Sequence, residues 1–129
     1  MAFFNNYCKL GRSNPVMRIL VPGSKMAKNI AERLDRAGIP HLCLVGKVNK
    51  AAYDPDQPLV TVLTIHSSKG LEFETVVMAD IDKIHFVAKE IPDQVKLMYV
   101  GMTRAKTQLL ITSSGDTVFT QRLVELVAP

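Results

Sequence analysis

The 129-residue chain has no tryptophan, only eight Phe and Tyr residues, and two cysteines. Cys8 and Cys43 have no metal-ligand spacing and lie in apolar surroundings, so neither a disulfide scaffold nor a zinc ribbon is expected, and both read as buried reduced thiols. No apolar run approaches the ~20 residues of a membrane helix. The start, MAFFNNYCKLGR, has too short an apolar stretch and no suitable cleavage site for a secretory signal. These absences point to a reducing, cytoplasmic compartment and to no membrane partner. The phosphate cradle GxxxxGK[ST] appears nowhere, so a self-sufficient nucleotide-hydrolysing domain of the P-loop kind is excluded. Internal repeats and low-complexity runs are absent too.

What is present fits one soluble globular domain, with 47% apolar and 22% charged residues. A net charge of +4 and a pI near 9.2 are compatible with a polyanionic partner without demonstrating one.

Residues 1–16 have no clear period and read as a leader or edge segment. Met17 to Val21 is a short buried strand stopped by Pro22-Gly23. Ser24 stands where a helix N-cap belongs, and Ala27, Ile30, Ala31 and Leu34 recur at helical spacing as far as Gly38. His41 to Val45 reads as a second strand, and Gly46 to Pro58 as a proline-bearing loop. Strands are expected at Leu59 to Ile65 and Val76 to Ala79, with an irregular stretch from Asp80 to Glu90. A helix follows over Asp93 to Lys106, its core stripe at Val95, Met98, Met102 and Ala105. A strand at Gln108 to Thr112 and a closing helix at Val118 to Val127 complete the pattern. Short apolar strands alternating with helices mean an α/β fold, a mostly parallel sheet covered on both faces. Such sheets place ligands beyond the carboxyl ends of their strands, here at Pro22 to Lys25, His66 to Gly70 and Thr112 to Gly115.

The stretch TIHSSKGLEFE is the most unusual of these. Two hydroxyls, an ammonium and a glycine-permitted turn of backbone amides suit a phosphate or another oxyanion, although an ordinary strand-end turn uses the same residues. His66 can contact phosphate, couple two sites, or hydrogen-bond at a strand end. Glu72 can accept from a sugar hydroxyl or be a solvated acid. Asp80 stands where NTPases keep a magnesium-binding carboxylate, but it has no P-loop partner, and no metal ligand is assigned. In LMYVGMTRAK, a helical glycine costs about 1 kcal/mol relative to alanine, so Gly101 signals a close approach. Arg104 lies three residues on, on a face turned away from the expected core stripe, where a guanidinium can grip phosphate or be a plain surface arginine.

Together TIHSSKGLEFETVVM and KLMYVGMTRAKTQLLIT resemble motifs V and VI of UvrD/Rep-type superfamily 1 DNA helicases. ILVPGSKMAKNIAERLDRAGIP resembles the strand and helix before motif V, and the likeness runs over roughly residues 17 to 114. The resemblance implies that residues 17–129 form a RecA-like three-layer domain, the second motor domain of a helicase that sandwiches ATP and Mg2+ against a first, P-loop-bearing RecA-like domain. It implies that Arg104 is an arginine finger toward the γ-phosphate, and that Gly70 and Glu72 belong to the nucleotide site, Glu72 at the ribose. Thr64, His66, Ser67 and Lys69 are implied to touch single-stranded DNA or link it to the nucleotide, with Tyr99 and Thr103 setting the finger's geometry.

The chain departs from the family at Pro22-Gly23-Ser24, where relatives carry an Arg-Thr-Asn-like triplet; Ser24 and Lys25 remain as phosphate-binding candidates at a helix N-terminus. The motif IV arginine is unassigned. Only Gly46 to Pro58 stands where many relatives insert an accessory domain, so a compact variant is expected. The chain is not expected to hydrolyse ATP alone. Competing readings are a non-catalytic DNA- or protein-binding α/β module and a purely structural domain.

Overall fold

The computed structural model describes residues 17–45, 59–115, 117, 120–122 and 125. Cys8, the leader 1–16, the loop 46–58 and most of the expected closing helix fall outside these residues, although Thr120 to Arg122 are helical. Five strands form one parallel sheet: β1 (Met17–Val21), β2 (His41–Leu44), β3 (Val60–Thr64), β4 (Phe73–Met78) and β5 (Ala105–Ile111). Their spatial order is β2-β3-β1-β4-β5, with every neighbouring pair parallel.

The central strands β1 and β3 are buried along their whole length and mostly apolar because both faces of the sheet are covered. Met17, Ile19 and Val21 of β1 join Val60, Val62 and Val77 beneath helix α1 (Ser24–Arg36), which buries Met26, Ala27, Ile30 and Leu34. Leu20, Leu63, Val76 and Met78 point the other way, toward Leu97 and Met98 of helix α2 (Ile91–Met102). The result is the expected α/β three-layer architecture, helix on sheet on helix. Arg18 is fully buried, its Nη1 donating to the carbonyl of Leu59 at 2.9 Å.

Several local expectations change. Gly23, not Ser24, is the N-cap of α1, and the Ala27 amide closes the first turn onto the Gly23 carbonyl at 3.2 Å. The stretch after β4 is ordered as a 3-10 helix, Ile81–Phe86, entered through Asp80 at φ 58°. Helix α2 begins earlier than expected because Pro92 suits a first helical turn. It also ends earlier, because the Arg104 carbonyl accepts from the Phe73 amide at 2.8 Å and Ala105 already pairs with Phe73 in the sheet.

The core stripe of α2 is Gln94, Leu97, Met98 and Gly101, whereas Val95 and Met102 are exposed. Gln94 fixes this rotation by donating from Nε2 to the carbonyls of Ala88 and Lys89 at 2.9 and 3.3 Å. Gly101 consequently faces the core and not an oxyanion. A Cβ there would stand 2.5 Å from Cε of Met78, so the close approach that the glycine permits is a packing contact.

Candidate functional site

The segment between β3 and β4 does unusual work for its length. Both strands run the same way with β1 between them, so residues 65–72 must carry the chain from the carboxyl edge of the sheet back to its amino edge. Such a crossover ordinarily takes a dozen residues or more; here eight suffice. A 3-10 turn at His66–Ser68 starts the descent, with the Ser68 amide bonded to the Ile65 carbonyl and the Leu71 amide to the Ser68 carbonyl. Gly70 takes φ 80°, a left-handed conformation that costs a residue with a Cβ about 1 kcal/mol or more.

The crossover divides the predicted site residues between two ends. At the carboxyl edge Thr64 is buried at the end of β3, its Oγ1 donating to Ser67 Oγ at 2.8 Å and accepting from the Ser67 amide at 3.1 Å. His66 and Lys69 are exposed beside them, while Ser68 is wholly buried with Oγ donating to the Ile65 carbonyl at 2.6 Å. Ser24 and Lys25 are exposed at the same edge, beyond β1.

Glu72 and Arg104 lie at the amino edge, beside the start of β4, and Gly70 lies on the descent between the two ends. Arg104 joins the two motifs physically. Its Nη1 donates to the Leu71 carbonyl at 3.1 Å, Nε to the Val100 carbonyl at 3.1 Å, and Nη2 to Thr103 Oγ1 at 3.2 Å. A guanidinium carries five N–H groups, so one on each terminal nitrogen makes no hydrogen bond among the described residues. Thr103 therefore touches the Arg104 guanidinium directly, while Tyr99 meets Thr103 only through its carbonyl, which accepts from Thr103 Oγ1 at 2.9 Å. The Tyr99 ring is exposed, as is the Glu72 carboxylate.

Helix α2 lies beside the crossover on the same face of the sheet. Between them runs a groove of about 390 Å³, lined by His66 and Lys69 on one side and by Asp93, Lys96, Leu97 and Val100 of α2 on the other. Val87, Ala88 and Lys89 complete it. Lys89 falls outside both quoted stretches and Lys96 opens the second, but nothing in their sequence context distinguishes either from a solvated surface lysine.

Asp80 lies 3.9 Å from Lys83 Nζ, and no group of three or more potential metal-ligating side chains gathers among the described residues. Asp82 is an anchor that sequence reasoning missed. It is buried and accepts from the Ser114 amide at 3.2 Å and Ser113 Oγ at 3.3 Å, holding the loop after β5. Cys43 is a half-buried free thiol whose pKa burial pushes up, with Lys28 pulling weakly the other way. Among the described residues no helix is long and apolar enough to cross a membrane.

A family model for the UvrD-like helicase C-terminal domain matches residues 47–116, and the chain belongs to that family. It is 30% identical over 82 residues to a "Probable DNA helicase II homolog" of Mycoplasma pneumoniae, covering 54% of this chain and 12% of that protein. It is 37% identical over 65 residues to the DNA helicase II of Haemophilus influenzae, covering 45% and 9% of the two chains. The RecBCD enzyme subunit RecB of Chlamydia pneumoniae is 38% identical over 72 residues, covering 56% and 7%. The matched segments thus span about a tenth of these relatives' lengths. In structure, the C-terminal domain of a possible DNA helicase from Lactobacillus plantarum superposes with a TM-score of 0.66 at 16% identity, covering 89% of this chain and 65% of that one. At that identity the likeness shows the fold alone.

Proposed function

We propose that residues 17–129 are the second RecA-like motor domain of an ATP-dependent DNA helicase or translocase, working against a P-loop domain of the same parent protein. The observation that carries this reading is the Arg104 clasp. It sets a permanently charged guanidinium, with two N–H groups uncommitted among the described residues, at the end of the crossover that holds Gly70 and Glu72. In this assignment Arg104 faces the γ-phosphate and Glu72 the ribose, while Thr64, His66, Ser67 and Lys69, with Ser24 and Lys25, hold the backbone of a single DNA strand. ATP with Mg2+ would supply the phosphoanhydride whose developing charge Arg104 neutralises; such fingers are worth about 10³–10⁵ in rate.

The exposed apolar residues Ile91, Val95, Tyr99 and Met102, spaced along one side of α2, support a domain partner because an isolated domain gains nothing by exposing them. Phosphate contacts would dominate strand binding, making it salt-dependent and largely indifferent to sequence.

The test is ATP hydrolysis by the 129-residue chain, alone and mixed with the separately expressed P-loop domain of its parent, with and without single-stranded DNA. The expected result is no turnover alone and Arg104-dependent, DNA-stimulated turnover on mixing. Robust hydrolysis by the isolated chain, or stable docking of the halves with no turnover, overturns the reading in favour of a non-catalytic binding module.

A further inference from the structure

On one side the sheet ends in a strand whose outer edge has no partner among the described residues. β5 is the longest of the five strands and pairs with β4 alone. Gln108 and Leu109 are both exposed. Side chains alternate across a sheet, so Leu109 shares a face with Ile111, which packs toward α2, and Gln108 shares one with Leu110, which packs toward α1. Both faces of β5 are therefore open at this level. The opposite edge differs: β2 has four residues and none of them is exposed.

Natural edge strands are blunted by proline, bulges or charge. β5 has two such devices at its amino end, Lys106 and an extra residue between the pairs Phe73–Ala105 and Thr75–Gln108. Beyond them Gln108 to Ile111 has neither charge nor proline, so this stretch is an unguarded template for another strand.

The sixteen residues before Met17 can supply that strand. Met17 opens β1, two strands in, level with Thr75 of β4 and through it with Gln108. The slot outside β5 lies three strand spacings away, about 14 Å, and its foot about 7 Å further toward the amino edge. Gly11 to Val16 reaches up to about 20 Å when extended, and Gly11, Ser13, Asn14 and Pro15 are turn residues. The stretch before it, FFNNYCKL, offers Phe3, Phe4, Tyr7, Cys8 and Leu10 to two open faces. A chain that must leave the slot at the amino edge runs against β5, and an antiparallel edge strand on a parallel sheet is common in α/β folds.

We propose that residues 3–10 form a further, antiparallel strand on the outer edge of β5. Counting back from the crossing sets Leu10 beside Ala105, Cys8 opposite Gln108 and Tyr7 opposite Leu109. The crossing at Gly11 to Val16 then passes the starts of β4 and β5, where Glu72 and Arg104 lie. The strand does not depend on the nucleotide and DNA roles proposed above.

The experiment is disulfide trapping in the full 129-residue chain, with the native Cys8 in a Cys43→Ser background. Thr107→Cys, Gln108→Cys and Leu109→Cys, all at exposed positions, are compared with Arg33→Cys on α1 as the control. A disulfide needs Cα atoms within about 7 Å, which directly opposed residues satisfy at about 4.5–5.5 Å. On mild oxidation at low protein concentration, Cys8 should bond within the chain to Gln108→Cys, and neither to the two adjacent positions, whose side chains face the other way, nor to the control. A shift of register by one residue moves the fast position to Thr107→Cys or Leu109→Cys and keeps the selectivity. In a second measurement, Phe4→Asp/Tyr7→Asp should lose hydrogen-exchange protection at the outward amides of residues 108–111 and keep it in β1 and β3.

Equal trapping at all three positions, or trapping at none, overturns the strand. Bonds formed only between chains assign the edge to a second copy and overturn it too. So does exchange in β5 that is already fast in the unaltered chain, or that the double variant leaves unchanged.

Discussion

Replacing Arg104 tests two roles at once, and magnitudes separate them. The alanine variant loses hydrogen bonds to the Leu71 and Val100 carbonyls and to Thr103 Oγ1. Charge-assisted bonds from a buried group contribute about 1.5–3 kcal/mol each, but Arg104 is only half-buried and water replaces much of what is lost. A total of about 1–3 kcal/mol is expected, which for a domain of this size lowers Tm by about 4–12 °C. The catalytic role asks for far more: a loss of about 10³–10⁵ in turnover, equivalent to about 4–7 kcal/mol of transition-state stabilisation. The assay is DNA-stimulated ATP hydrolysis by the recombined halves, beside a thermal melt of the variant chain. Arg104→Ala should remain folded at 15 °C and remain inactive there. Arg104→Lys should keep the charge but lose the forked contacts, and recover little activity. Near-normal turnover by Arg104→Ala, or activity that returns on cooling, would show a clasp without a finger and refute the assignment.

Three further perturbations probe the scaffold. Gly101→Val should destabilise the chain by about 1–3 kcal/mol in urea denaturation, because Met78 is wholly buried and must move to admit the side chain. Asp82→Ala should cost about 1–3 kcal/mol by leaving the Ser114 amide without its acceptor, and Asp82→Asn should restore part of it. Burial raises the Cys43 pKa, so in a Cys8→Ser background its alkylation at pH 8 should be slower than that of a free thiol. Because the unfolded thiol ionises first, stability should be constant below the unfolded pKa and fall as pH rises through the interval up to the folded one; a rise in stability there would contradict the burial argument.

The parts of the fold legible in the sequence are those where local pattern and burial coincide. Strands β1 and β3 are buried along their whole length because both of their faces are covered, and α1 shows a clean helical stripe from Met26 to Leu34. Helix α2 misleads for a physical reason: Val95 and Met102 are apolar but exposed, while Gln94 is polar yet buried, because its side chain caps carbonyls inside the fold. The turn chemistry of residues 66–70 was readable, but its destination was not. That Glu72 ends at the amino edge follows from the pairing of β4 with β1, a non-local fact absent from any window of the sequence. Lys89 carries no local signal, since a lysine on an exposed surface and a lysine over a groove have the same neighbours in the chain.

The shortness of the crossover gives it a consequence beyond architecture. Thr64 and Ser67 are bonded at one end, Leu71 is held by Arg104 at the other, and only the turn through Ser68 lies between them. Ser68 is its rivet, wholly buried, with its hydroxyl on the Ile65 carbonyl and its own carbonyl on the Leu71 amide. In the proposed motor, a shift of Arg104 has little slack in which to dissipate before it reaches the strand-binding end. Ser68→Ala removes the hydroxyl bond at a cost of about 1 kcal/mol and leaves every proposed ligand contact in place. The expected result in the recombined motor is basal ATP hydrolysis near normal and single-strand affinity near normal, but a several-fold smaller stimulation of hydrolysis by DNA. Equal stimulation in both proteins would mean that the two ends communicate through the partner domain, not through this turn.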